Sequence, residues 1–438
     1  MALLVAAPAA RAAWSAPVTL SAPHSASGQL FAATGAGSDL VAWKVNNLTP
    51  SGIFGPTGAR AAVAPAGGSF GAERTLPAAY ASGPLVDLGA GRLAQEILVP
   101  RGRNASLVKV ALGATNGRFG APMRTPATAG VGGVSLAGNA RGMLVIAWIA
   151  PTPRGRAVWV SIRAPGGRFG AVHLVSGASN ALQVSAAVGI DGTIVVAFPS
   201  RHGRMLTTVK RPERSWGALR DLGPASSGTE TDVTPAVLFD GRVVVAWYHT
   251  QLCEGGCLSP GFTRVAIEGA RSSRFSSTQL LERDPAGLAG APSGMRLAPV
   301  VLGLLSGPVR LAFLGQPSGA YGGFAGLVRV SSLRGSRFGA PQTVSDPARP
   351  ASGLAGAVGA EGAILTWVAQ DTPPGTGTVF GSLSDAMGLF GASQQISPGE
   401  HVLAAAPVYD ATGAHWIVAW TSRPQSESQT VVRVASGR

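Results

Sequence analysis

Short apolar runs ending in alanine or threonine plus an aromatic recur along this chain at intervals near fifty residues. They are "LVAW" to Trp43, "LVIAW" to Trp148, "IVVAF" to Phe198, "VVVAW" to Trp247, "VRLAF" to Phe313, "AILTW" to Trp367 and "WIVAW" to Trp420. A weaker copy, "RLAQEILV" at residues 92–99, fills the wide gap between Trp43 and Trp148. Runs this short, rich in Val and Ile, predict buried strands rather than helices. Each follows another apolar run, such as "LQVSAAVG" at 182–189, across a turn such as "GIDGT" or "LFDGR". Asp-Gly between two apolar runs marks a β-hairpin.

A third strand with alternating pattern follows, for example "AVWVSIRA" at 157–164, and then a small cassette. The cassette is "GRFGAPMRTPA" at 117–127, "GGRFGAVHLVSG" at 166–177 and "SRFGAPQTVSD" at 336–346. Its aromatic falls at Phe70, Phe119, Phe169, Trp216, Phe275, Phe338 and Phe390, in steps of 49, 50, 47, 59, 63 and 52 residues. The cassette supplies a fourth strand, with its aromatic wedged towards a neighbouring unit. The glycine after the aromatic is expected where the backbone is approached closely or takes a positive φ.

Four short antiparallel strands every fifty residues make one blade of a β-propeller. The fold class is therefore all-β, a single propeller of eight four-stranded blades. Seven is the alternative count if the region before Phe70 or the stretch 250–338 is misread. The chain ends on a third strand, "TVVRVASGR", and begins with an orphan cassette, "AAWSAPVTLSAP", in which Trp14 takes the aromatic position. The N-terminal strand is thus expected to complete the last blade and hide its open edge. Residues 13–438 form the propeller, with insertions near 250–262 and 314–327 where the repeat is longest.

Composition adds limits. Of 438 residues 46% are apolar, and the 61 Gly and 32 Pro are dispersed as turn residues rather than clustered. The net charge of +14 comes from 35 Lys and Arg against 21 Asp and Glu. The arginines are scattered, with no basic block, which argues against specific nucleic-acid binding. Cys253 and Cys257 are too few for a zinc site and lack redox spacing; the first reading is a local disulfide, with two free thiols next. Residues 1–12, "MALLVAAPAARA", read as a truncated signal peptide with cleavage after Ala12. No later run is long enough to span a membrane. A secreted or cell-envelope protein, monomeric, is expected.

The repeat as a whole resembles the bacterial secreted β-propellers, distantly sialidase-like in architecture. Sialidases carry Asp boxes, Ser-x-Asp-x-Gly-x-x-Trp; here "SLSDAMGLFG" at 382–391 is the nearest echo, with Phe390 off register for the Trp. The resemblance also implies a Tyr–Glu nucleophile pair, an acid–base Asp and three substrate arginines. Tyr80, Tyr248, Tyr321 and Tyr409 match none of that pattern. It therefore covers the architecture of most of the chain and no active site.

Other chemistry is sparse. No Gly-x-Ser-x-Gly, HExxH, P-loop or dinucleotide fingerprint occurs, and no cofactor is called for. Asp191, Asp240, Glu361 and Asp410 fall in hairpin turns. Asp87 and Glu96 stand inside strands where other repeats have small or apolar residues, so each should line a channel or be paired. Tyr248 and His249, beside the cysteine pair, form the densest polar–aromatic cluster, and Asp371 lies just past a strand end. Arg118, Arg168, Arg274 and Arg337 precede the cassette aromatic in four repeats, as a candidate ring for an anion. These seven residues are the candidate ligand-binding set. The expected function is a non-catalytic exported binding propeller recognising a glycan or surface protein. The alternative is a polysaccharide hydrolase or lyase with a site built from blade loops.

Overall fold

The computed structural model describes residues 13–22, 26–45, 58–76, 81–100, 106–128, 133–177, 179–225, 231–252, 258–272, 274–284, 298–303, 307–315, 326–360, 362–370, 377–410, 414–423 and 430–437. They form eight antiparallel sheets set around a ring, a β-propeller with eight blades. Each blade takes its strands in chain order from the ring axis outwards. The first comprises Ala26–Gly35, Ser38–Val45, Gly58–Pro65 and Arg74–Thr75. Innermost strands of successive blades touch around the ring, the eighth touching the first. In the sixth blade the outermost strand is split, Arg337–Phe338 and Gln342–Thr343 both pairing with Leu327–Arg334.

Closure follows the predicted scheme. The eighth blade has His401–Asp410, His415–Arg423 and Val431–Gly437, and Val18–Thr19 joins it as the outermost strand. Val18 pairs with Val434 and Thr19 with Arg433, and Trp14 bridges to Gly437.

Burial explains why the second strands read as unbroken apolar runs. A second strand has neighbours on both sides in its own sheet and a blade against each face, so every residue of Ile194–Pro199 is buried. The outermost strands face water: Phe169–Leu174 is exposed along nearly its whole length. The turns obey the same local chemistry. Asp191 Oδ1 accepts from Thr193 N at 2.9 Å and Asp240 Oδ1 from Arg242 N at 3.0 Å, while Gly192 and Gly241 take the left-handed conformation beside them.

Eight hydrophobic clusters lie at the eight blade junctions, and each holds one cassette aromatic. Phe119 packs with Leu40, Leu76 and Leu93 between the first and second blades. Trp216 packs with Ile149 and Phe198 between the third and fourth. Phe70, Phe169, Phe275, Phe338, Phe390 and Trp14 take the same place at the other six junctions. Each such side chain contributes about 1.5–3 kcal/mol of burial, less where it stays partly exposed. None of the glycines after the aromatic has a positive φ, and at most of them a Cβ would meet its nearest atom at ordinary contact distance; the close approach expected of them is found at Gly217. A Cβ on Gly217 would meet the Val209 carbonyl oxygen at 2.9 Å.

Antiparallel alternation divides the ring into two faces. The first-to-second and third-to-fourth strand turns share one, here the turn face; the second-to-third links and the blade-to-blade links share the other, the link face. On the turn face, side chains of one blade grip the backbone of another. Arg92 of the second blade donates to Ala140 O of the third at 2.5 Å, and Asn139 of the third to Gly189 O of the fourth at 2.7 Å. Arg211 of the fourth reaches Gly241 O at 2.5 Å, Arg242 of the fifth reaches Gly335 O at 2.7 Å, and Arg310 of the sixth reaches Met387 O and Gly388 O at 2.8 and 3.0 Å. These four of the scattered arginines are therefore structural, each guanidinium donating to carbonyls of the next blade.

Residues 1–12, Cys253, Cys257, Glu361 and Asp371 lie outside the described residues, as does most of the 314–327 insertion. Among the described residues no helix is long and apolar enough to cross a membrane.

Candidate functional site

The innermost strands end on the turn face around the mouth of the channel, where the second to fifth blades line an open cavity of about 310 Å³. Asp87, Asn139, Ile190, Leu238 and Phe239 contribute to its wall. Asp87 closes the innermost strand Ala81–Asp87 of the second blade, and its Oδ1 accepts from Gly89 N at 2.7 Å. Asp87 is exposed to solvent, yet desolvation by the surrounding protein raises its carboxyl pKa, partly offset by that hydrogen bond. Asn139 is spoken for: Nδ2 donates to Gly189 O, and Oδ1 accepts from Arg141 N and Met143 N. Phe239 is 54% exposed, an unusual state for a large aromatic beside a cavity. It sits two residues before Gly241, where the third and fourth blades have Ala140 and Ile190 before Gly142 and Gly192. The pair thus presents an open aromatic face and one carboxylate to the same space.

The fifth blade holds a second constellation. Its second strand, Val243–Leu252, alternates sides: Val245 and Trp247 pack in the cluster shared with the fourth blade, and Val244 and Ala246 in that shared with the sixth. Tyr248 packs among sixth- and seventh-blade residues. His249 therefore falls on the Trp247 side, so Tyr248 and His249, adjacent in sequence, face opposite neighbours. Strand register sets His249 opposite Phe262 and Phe262 opposite Arg283, with Trp247 opposite Arg264.

His249 is 1% exposed and stacks on Phe262 with centroids 5.1 Å apart and planes at 24°. The guanidinium carbons of Arg264 and Arg283 lie 5.4 and 5.8 Å from the centre of the same ring. Burial, and then the positive charge of Arg264, lower the His249 pKa to about 4, so the imidazole is neutral at pH 7. Burial also lowers the pKa of Arg264. Among the described residues neither nitrogen of His249 has a hydrogen-bond partner.

The other expected residues lie apart from both places. Arg118, Arg168, Arg274 and Arg337 are exposed, in the second, third, fifth and sixth blades, each at the turn into the outermost strand and so far from the ring axis. Asp385 forms a turn in which its Oδ1 accepts from Leu389 N at 2.8 Å. Glu96 is buried in the second strand of the second blade, opposite Val110. Among the described residues no three of His, Cys, Asp and Glu gather as a metal site.

No protein-family model matches this chain, and no curated protein matches it. Similar solved structures include the polysaccharide lyase Uly1, at 8% identity and TM-score 0.47, covering 93% of this chain and 89% of that one. The β-propeller domain of the Trilobed protease from Pyrococcus furiosus, with an open velcro topology, matches at 10% identity and TM-score 0.44, covering 84% and 96%. A Hadza microbial sialidase matches at 10% identity and TM-score 0.33, covering 75% and 73%. All lie at or below 10% identity with TM-scores below one half, so nothing about the site is read across from them.

Proposed function

We propose that this protein is an exported or cell-surface binding propeller that seats a glycan at the mouth of its channel on the turn face. The observation that carries this reading is Phe239, an exposed aromatic on the wall of a cavity whose lining includes one carboxylate, Asp87. A sugar ring presents an apolar face to stack on the phenyl group and hydroxyls to donate to the carboxylate. Glycoside hydrolysis by the usual route needs two facing carboxylates, and the cavity wall supplies one.

The test is a glycan array on the purified protein, with Phe239→Ala alongside, at about 50 mM and about 300 mM salt to separate a formed site from adhesion by net charge. Binding that survives the higher salt and is lost in Phe239→Ala supports the reading. Binding untouched by Phe239→Ala removes the channel mouth as its seat.

One observation favours a second reading. A carboxyl whose pKa is raised by desolvation is suited to act as a general acid, so Asp87 could serve a polysaccharide-cleaving reaction. Reducing-end or unsaturated-product assays on polysaccharides bound in the array decide between the two. Turnover abolished in Asp87→Asn with binding retained marks the enzyme.

A further inference from the structure

We propose that the fifth blade carries an oxyanion-binding site formed by Arg264 and Arg283 around the Phe262 ring, with His249 as its buried floor. It is separate from the channel mouth and does not depend on that reading. Its ligand is a carboxylate, sulfate or phosphate group.

The argument begins with what other arginines do. Arg92, Arg211, Arg242 and Arg310 each donate to backbone carbonyls, and Arg211 and Arg242 are also paired with Glu268 and Asp240. Arg264 and Arg283 differ. Among the described residues, neither guanidinium makes a hydrogen bond or an ion pair, and the Nε of Arg264 is buried without a partner. Both guanidinium groups nevertheless stand against one phenyl ring. The adjacent Glu282 is engaged elsewhere: it faces Arg329 of the sixth blade at 3.7 Å. Two like charges held against one ring repel each other, and the burial of Arg264 strengthens the repulsion.

His249 supplies the second, independent observation. It is almost wholly buried and, among the described residues, both its nitrogens lack partners, a cost that a bound acceptor would relieve. It stacks on the ring that both arginines share. An oxyanion would accept from the planar guanidinium forks, and an imidazole N–H beside them could donate to it. Phe262 fixes the spacing, because it is held by pairing with His249 on one side and Arg283 on the other. Register places the group at the end of the fifth blade where the second strand passes to the third, on the link face.

The experiment uses the full chain and three probes, inorganic sulfate, inorganic phosphate and acetate, titrated against chloride at constant ionic strength. Binding is followed by calorimetry and by the imidazole NMR signals of His249. The expected result is saturable binding of one or more probes that moves the His249 signals. Arg283→Gln, an exposed position that leaves the fold intact, should weaken it by about tenfold or more, and Arg264→Gln likewise. Arg274→Gln, an exposed arginine of the same blade, should leave it unchanged. Preference among the probes identifies which oxyanion fits. The proposal is overturned if no probe shifts the His249 signals, or if Arg283→Gln binds as tightly as the parent.

Discussion

The indole of Trp14 lies against the backbone of Gly437, where a Cβ would come within 2.7 Å of the ring. Trp14 belongs to the outermost layer of the eighth blade and packs in the cluster between the seventh and eighth blades. The chain's two ends thus meet through an aromatic laid on a glycine. Trp14→Ala should lower stability by about 2–3 kcal/mol, just under the range for emptying a large, fully buried aromatic site because the ring is partly exposed. Urea unfolding measures it. A loss below about 0.5 kcal/mol, the scale of an ordinary surface change, would show that the contact does not help to close the ring.

His249 gives the fold a defined response to acid. Its pKa is about 4 in the folded chain against 6.5 ordinarily, so from pH 6.5 down to about 4 the unfolded chain takes up a proton that the folded chain refuses. Stability is full above that window and falls as pH drops through it, by up to about 3 kcal/mol. Among the described residues the groups acting on the imidazole are Phe262, on which it stacks, and Arg264, whose charge does not titrate in this range. His249→Phe keeps the stack on Phe262 and should flatten the pH dependence of stability between 4 and 6.5. An unchanged slope in denaturant unfolding at several pH values would contradict the assignment.

Asp87 responds in the opposite sense to a carboxylate in an ion pair. Its pKa is raised above 3.8, so the folded chain holds a proton that the unfolded chain has released, and stability falls as pH rises through that window. Asp87→Asn keeps an acceptor for Gly89 N while removing the charge. The variant should be more stable than the parent at pH 7 and should lose that advantage at the acid end. Thermal melts at pH 3 to 7 check both parts.

Arg310 tests whether the arginines serve as clasps. Its guanidinium holds the turn that carries Met387, 71% exposed, through two carbonyls of the seventh blade. Arg310→Ala leaves both carbonyls short of a donor and should cost about 3 kcal/mol. Arg310→Lys keeps the charge but not the fork, and should recover less than half of the loss. Amide exchange at Leu389 should quicken in both variants, since its N–H belongs to the same turn.

The ring was legible because its signal is repeated: a phase error in one blade is corrected by seven others. "IVVAF" and "VVVAW" are unbroken apolar runs for the same reason in every blade, enclosure on both faces. The sites carry no such redundancy. His249 stood out by itself, but Phe262, Arg264 and Arg283 lie on two further strands, and only the register shows that they share its face. Phe239 was hidden differently. In "VLFDGR" it looks like any residue entering an Asp-Gly turn, and its exposure depends on the curvature of the ring. Asp87 was visible as a charge in an inner strand, yet nothing local paired it with a phenyl group three blades away.

The pairing of Val18 with Val434 also dictates an order of events during synthesis. A nascent chain can build its early blades one after another as each fifty-residue unit leaves the ribosome. It cannot cover the side of the first blade bearing Val41, Trp43 and Val45 until Ile417 and Ala419 have emerged, because those residues share one cluster. For most of its synthesis the molecule is an open arc with two sticky ends. Until the final strand arrives, arcs from different ribosomes have exposed ends able to join one another, so the closing strand also guards against association.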